Sequence, residues 1–477
     1  MKSLNELIRT TIADWPNSVP VVVDTGSGQH YFPGILTRKI DELSVFLERV
    51  GIEAGDRLLL FLPNSPAFLV LLFAARRLGA VVAPVKTDWK RAEISVVLRD
   101  LNPKAIVTEG GFESLFPASV PVVLLLDPDK AELSLLAARD NDGSDRANGY
   151  FAPEYADGVP EAAEASELSG DVASINFTYR GLGYPLGAMV PDQQYIEGAE
   201  IFSQGMAGRI SRRMLVFLPM AHIFTLVGCV FAPLLSGMTT YYSKTLLPSR
   251  VMETIGDYDI DFITTVPEVL SLLRRYAERH HPIEGLDIIA TGGSVLSPEE
   301  YEAARDVFHC EVLHGYGLTE MTPISRNIRG SSRAGTVGPV AREIQLRVDE
   351  GTSEIQIKGR NIFRGYFRRP EETKSAFSED GWFLTGDAGA ISDGHLVFEG
   401  EIKQTRKVNG ALVDLNEVAR VIRRVPAVRD VELVYEDSRI KAGVDFYDAG
   451  GTDRQRTLRR VLNQDLAAYK IPHIFQK

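Results

Sequence analysis

From Gly55 onward, short apolar runs alternate with longer stretches whose apolar residues recur every three or four positions. The short runs between turn signals predict buried strands, and the longer periodic stretches predict helices. RLLLFLP (Arg57 to Pro63) is the first such strand. Asn64-Ser65-Pro66 then offers a side-chain cap and a first-turn proline, AFLVLLFAARRL a helix, and Gly79 its stop. AVVAPV, RAEISVVLRDL and KAIVTEG repeat the order strand, helix, strand between Ala80 and Gly110. Strands that alternate with helices in this way form a parallel sheet with helical crossovers.

Between Arg139 and Asp171 the periodicity fades and Asp, Glu, Ala, Gly and Ser dominate, the composition of a surface linker. A second alternating region runs from about Ala173 to Glu320, with RMLVFLP, DFITTVP and DIIATGG as strands, and predicts a second sheet. From Gly335 to Gly400 the segments shorten and glycine turns multiply, which predicts a small antiparallel barrel or sandwich. The expected fold is α/β. A large N-terminal domain, 1–402, holds two mixed or parallel sheets with helices and a small β-barrel, in subdomains of about 1–165, 166–330 and 331–400. A small α+β domain follows over 403–477.

Charge and cysteine content narrow the function classes. The 477 residues include 52 basic and 64 acidic side chains, a net charge of -12, with no dense Lys/Arg block. Nucleic acid and anionic membrane surfaces need a basic footprint, so neither is an expected partner. Two cysteines, Cys229 and Cys310, are too few for a disulfide framework or a cysteine-built zinc site. The opening MKSLNELIRTTIADW interrupts every apolar run and reads as a first helix rather than a secretory signal. The apolar run Phe68 to Ala75 falls far short of the ~20 residues that cross a bilayer. A cytoplasmic protein without a transmembrane segment is expected.

Five local sequences carry candidate chemistry, and each taken alone has a plain structural reading. FTYRGLGYPLGAM (Phe177 to Met189) is a glycine-rich turn able to cradle phosphates, or an ordinary link between strands. LPMAHIF places His222 in an apolar segment, as a site residue or a packed imidazole. IATGGSVL ends a strand with Gly292-Gly293, where a flat ring can approach backbone, or where a plain loop begins. HGYGLTEMTP sets an aromatic ring, a hydroxyl and a carboxylate close together: Tyr316 to stack on a base, Thr319 to bond a phosphate oxygen, Glu320 to hold Mg²⁺. GWFLTGDAG presents Asp387 in a glycine turn, where a carboxylate can accept both hydroxyls of a ribose.

In that order, and together with FLPNSPAF, GRNIFRGYFRRPEET, VNGALVDLNEVARVI and LAAYKIP, these segments resemble the adenylate-forming enzymes. That superfamily includes acyl-CoA synthetases, nonribosomal peptide adenylation domains and luciferases, and the likeness spans essentially the whole chain. The resemblance implies a small C-terminal domain that rotates between two half-reactions. A carboxylic acid and ATP give acyl-AMP and pyrophosphate; then a thiol, on coenzyme A or on the phosphopantetheine of an acyl carrier protein, takes the acyl group. It further implies adenine against Gly292, Gly293 and Tyr316, the AMP phosphate near Thr319, Mg²⁺ at Glu320, and ribose on Asp387. His222 then borders the carboxylate, Gly410 the pantetheine arm, and Lys403 the hinge. His222 to Leu235, Gly292 to Val295 and Met321 would line the pocket of a fatty or aryl acid.

The chain departs from the family where ATP is handled. The phosphate loop of the family resembles Y-T-S-G-T-T-G-x-P-K-G; here only Thr178 keeps its hydroxyl, while Tyr179, Leu182 and Leu186 replace a serine, a threonine and the lysine. Each charge-assisted bond lost to a triphosphate costs ~1.5–3 kcal/mol. Arg180 stands at a glycine position and is the candidate replacement cation. Glu401 takes the place of the hinge arginine, which reverses the local charge. The sequence runs to YKIPHIFQK, before the family's P-x-T-x-x-G-K segment, so the adenylation lysine is not expected in 403–477. An acid-activating ligase is the leading expectation. The alternatives are a degenerate member that binds an acyl group, AMP or a partner, and an enzyme of the thioester-forming half-reaction alone.

Overall fold

A computed structural model describes residues 3–112, 116, 122–138, 159–160, 162–163, 168–204, 213–280, 284–402, 405–408, 410–436, 439–446 and 453–476. Most of the expected linker, 139–158, lies outside the described residues. The first strand-helix unit forms as its sequence dictates. Arg57–Phe61 is a strand, the Ser65 hydroxyl accepts the Phe68 amide at 3.1 Å to cap helix Pro66–Arg77, and Gly79 ends it at φ 77°. Val81–Pro84, helix Arg91–Leu101 and Ala105–Thr108 follow in the order read from the sequence.

Seven strands make the first sheet, in spatial order Glu132–Ala138, Val122–Asp127, Ala105–Thr108, Arg57–Phe61, Val81–Pro84, Val172–Thr178 and Leu186–Pro191. Eight make the second: Met321–Arg326, Glu311–Leu318, Ile288–Thr291, Phe262–Thr265, Arg213–Val216, Thr239–Tyr242, Val22–Asp24 and His30–Tyr31. Each is parallel at its centre with antiparallel pairs at its edges. Two pairings cross the boundaries expected near residue 165. Val172–Thr178 and its hairpin partner join the first sheet, and Val22–Asp24 runs parallel to Thr239–Tyr242 in the second.

Helix Pro66–Arg77 has no polar face over its first ten residues because it lies between the sheets. Its core cluster holds Leu58, Leu60 and Val82 of one sheet with Met214, Val216 and Phe262 of the other. Burying each such side chain fully contributes ~1.5–3 kcal/mol, so this contact fixes how the sheets face one another. Gln345–Val348, Glu354–Lys358, Phe383–Ser392 and His395–Glu401 form a four-stranded antiparallel sheet in the segment expected to be a barrel or sandwich. Beyond it, hairpin Thr405–Val408/Ala411–Asp414 leads into helix Leu415–Arg423, and Val428–Glu436, Arg439–Phe446 and His473–Gln476 form a last sheet beside helix Asp453–Asp465. Among the described residues no helix is long and apolar enough to cross a membrane, and both cysteines are free.

Candidate active site

One cleft of about 1370 Å³, counting the space open to solvent, runs between the two large sheets, the four-stranded sheet and the small C-terminal hairpin. Thr178, His222, Gly292, Gly293, Tyr316, Thr319, Glu320, Asp387 and Gly410 all line it. These residues come from six separate elements. Tyr316 lies in strand Glu311–Leu318, and Thr319 and Glu320 form the turn into Met321–Arg326, so the motif sits at a hairpin tip. Asp387 lies inside strand Phe383–Ser392 rather than in the expected turn, next to a register shift at Ala388/Gly389. Lys403 lies outside the described residues.

Backbone shape makes the cleft wall at the glycine pair. A methyl group at Gly292 would meet the Gly315 carbonyl oxygen at 3.1 Å and the Phe224 ring at 3.5 Å, and Gly293 takes φ +87°. That surface accepts a flat ring only while it has no side chain. Tyr316 donates its hydroxyl to Asp387 Oδ2 at 2.8 Å and stacks on Phe398 with ring centroids 5.6 Å apart. Asp387 is directly opposite Glu401 across the strands, and burial raises the Glu401 pKa. Lys407 lies close enough to Glu401 to counter part of that shift, so the charge reversal at the hinge meets a cation from the small domain.

His222 begins the helix that forms the apolar wall of the cleft. Asn64, read from the sequence as part of a cap, receives the Met220 amide on its Oδ1 and donates Nδ2 to the Leu218 carbonyl, both at 2.8 Å. It thereby anchors the approach to His222 on the first sheet. His222 Nδ1 accepts the Phe224 amide at 3.3 Å, which leaves the proton on Nε2. Burial lowers its pKa to about 3, with Lys86 and Lys407 adding to the effect. The imidazole is therefore a neutral hydrogen-bond donor. Beyond it Leu226–Phe231 is π-helical, and Val227 and Gly228 line the cleft. Met321 does not line it: that side chain lies in the core against Gly359. Val295 is exposed and likewise stands apart.

Arg180 does not take the place of the lost lysine on the cleft wall. Its Nη2 donates to the Leu384 carbonyl at 2.8 Å, its Nη1 to the Tyr366 hydroxyl at 3.4 Å, and its plane covers the Phe383 ring. Those contacts turn it toward Glu320, 3.9 Å away, whose Oε1 also accepts the Tyr366 hydroxyl. Leu186 is fully buried among Tyr184, Ala188 and Tyr366, where an ammonium would lose its water. The cations that do line the cleft are Lys86, Arg326 and Lys407, none of which the sequence motifs single out.

The rest of the glycine-rich turn after Thr178 is held by the small domain. Tyr179 donates to Glu417 Oε1 at 2.6 Å and accepts Lys470 Nζ at 2.9 Å, while Lys470 reaches Glu417 at 2.5 Å and Glu93 at 3.0 Å. The Glu93, Glu417 and Lys470 side chains have no solvent exposure. Burial pushes the Glu417 pKa up, against the pull of Lys470. Asp414 caps helix Leu415–Arg423 through the Asn416 amide at 2.9 Å and takes the Gly183 amide on its other oxygen at 2.8 Å. Asn416 donates to the Gly181 carbonyl and Arg420 to that of Gly183, both at 2.7 Å.

A family model described as AMP-binding enzyme matches residues 9–367. The chain belongs to that family. Among curated relatives of this AMP-binding enzyme, the long-chain-fatty-acid–CoA ligase FadD13 of Mycobacterium tuberculosis is 27% identical over 449 residues, 89% of this chain and 85% of the relative. Two solved structures share its fold. The amide bond synthetase McbA from Marinactinospora thermotolerans has a TM-score of 0.82 at 21% identity, covering 100% of this chain and 96% of the other. An o-succinylbenzoate CoA synthetase from Bacillus subtilis has a TM-score of 0.80 at 19% identity, covering 100% and 95%.

Proposed function

We propose that this AMP-binding enzyme joins a carboxylic acid to a thiol by way of an acyl-adenylate. ATP and the acid give acyl-AMP and pyrophosphate, and the thiol of coenzyme A or of a carrier protein then displaces AMP. One observation carries the reading: nine residues singled out as site candidates, spread from Thr178 to Gly410, line a single cleft. The nucleoside end fits. Gly292 and Gly293 leave a flat surface, and Asp387 offers a buried carboxylate already oriented by Tyr316.

At the reacting end, His222 Nε2–H and the Thr319 hydroxyl supply donors for the acid carboxylate and the phosphate. Both are neutral donors in a cleft with apolar walls, where hydrogen bonds to developing charge gain strength. Glu320 keeps one oxygen clear of the Tyr366 bond, and that oxygen would hold a Mg²⁺ ion. The chemistry such an ion would supply is neutralisation of charge on the phosphate being transferred. Among the described residues no cluster of three or more His, Cys, Asp or Glu forms a protein-only metal site. We assign the joint between large and small domains to 402–403, with Gly410 at the tip of the hairpin that reaches the cleft beside Val266.

ATP–pyrophosphate exchange with Mg²⁺ and a panel of fatty and aryl acids tests the reading. Acid-dependent exchange that falls at least 100-fold in Glu320→Ala is the expected result. Absence of exchange from folded protein with every acid, alongside thioester formation from supplied acyl-adenylate, would leave only the second half-reaction.

A further inference from the structure

The acyl end of the cleft holds a cation, Arg326, that forms no ion pair among the described residues; Glu343 acts on it only from beyond ion-pair distance. Arg326 ends strand Met321–Arg326 and is paired with Gly315 across the hairpin. A methyl group at Gly315 would lie 3.0 Å from Arg326 Cβ, so the glycine leaves the seat over which the arginine side chain passes. The guanidinium lines the cleft with Phe202, Phe224, Phe262 and Leu313. Its Nη1 donates to the Phe202 carbonyl at 2.5 Å, and among the described residues no carboxylate lies within ion-pair distance of it. Burial lowers its pKa to about 10. A half-buried guanidinium that gives one nitrogen to a carbonyl and turns the rest into an otherwise apolar cleft wall is a seat for an anion.

We propose that the acid substrate carries a second anionic group, a distal carboxylate, which Arg326 binds across an apolar spacer while the first carboxylate reacts at the hairpin tip. The proposal rests on the acid-ligase reading of the cleft. Five residues of strand, ~17 Å at ~3.4 Å each, separate Met321 at the tip from Arg326, and the arginine side chain spans part of that gap. The remainder fits a spacer of several methylenes or one aromatic ring against Phe224, Phe262 and Val227.

The experiment compares matched acids, octanoate against suberate and decanoate against sebacate. Binding is read by calorimetry with and without ATP, and product by thioester formation. Wild type is expected to bind each diacid at least tenfold more tightly than its monoacid. Arg326→Met should invert that ratio, and Arg326→Lys should restore part of it. A role confined to holding the Phe202 carbonyl would lower the melting temperature of both variants and leave the ratio where it was. Monoacid preference in wild type, an unchanged ratio in folded Arg326→Met, or no binding of any acid overturns the proposal. A ratio that follows Arg326 without thioester formation overturns the ligase reading and leaves the anion site standing.

Discussion

A neutral imidazole at His222 sets how the site responds to acid. Its folded pKa of about 3 lies below the ordinary value of 6.5, so the unfolded chain takes up the proton more readily. The stability contributed by neutral His222 is complete above pH 6.5 and is lost as pH falls toward 3. His314, lowered by burial to about 4, adds to the same trend. Thermal melts from pH 7 to 4 should show a decline that is shallower in His222→Gln. Tyr316→Phe removes the bond that orients Asp387 and should weaken AMP binding about 5- to 10-fold, close to the ~1–1.5 kcal/mol of one hydrogen bond, by calorimetry. The candidates that line the cleft could be picked out in the sequence because each sits in a short motif with its own chemistry. Lys86, Lys407 and Arg326 could not, because their meaning comes from what the cleft wall places near them and not from their neighbours in the chain.

The hairpin Val172–Thr178/Leu186–Pro191 shows what the altered loop has become. Tyr179, in place of a serine, gives its hydroxyl to Glu417, and Leu186, in place of a lysine, packs in the core. Leu186→Lys should therefore lower the melting temperature without raising ATP affinity, which melts and nucleotide titration check together. Gly292→Ala, which brings a methyl against the Gly315 carbonyl, should fold and lose at least tenfold in exchange rate, mostly through the KM for ATP. Strands such as Arg57–Phe61 and caps such as Ser65 were readable locally. The three-residue strand Val22–Asp24 was too short for periodicity to mark it, and its partner Thr239–Tyr242 lies more than 200 residues away.

At the scale of the molecule, Glu93, Lys470, Glu417 and Tyr179 form a buried bolt between large and small domains. Lys470→Met leaves two buried carboxylates without the ammonium that bridges them, and breaking such a pair costs ~3–5 kcal/mol. Limited proteolysis and small-angle scattering should show the small domain released while the large domain keeps its melting transition. Glu417→Gln, which retains the hydrogen-bonding shape, should loosen it less. The expectation of a hinged small domain came from resemblance; the bolt could not be read beforehand, since its four members are scattered from residue 93 to residue 470 and one of them was classed only as a lost serine.

Because Asp414 of the small domain already accepts the Gly183 amide, a triphosphate cradled by this turn would have to compete with that domain for the donor. Nucleotide affinity then reports two equilibria at once, since the measured constant is the intrinsic one divided by the fraction of molecules whose loop is free. With one molecule in a hundred unbolted, ATP would bind 100-fold more weakly than its contacts alone dictate, and a partner that drew the small domain away would raise that affinity without touching the nucleotide.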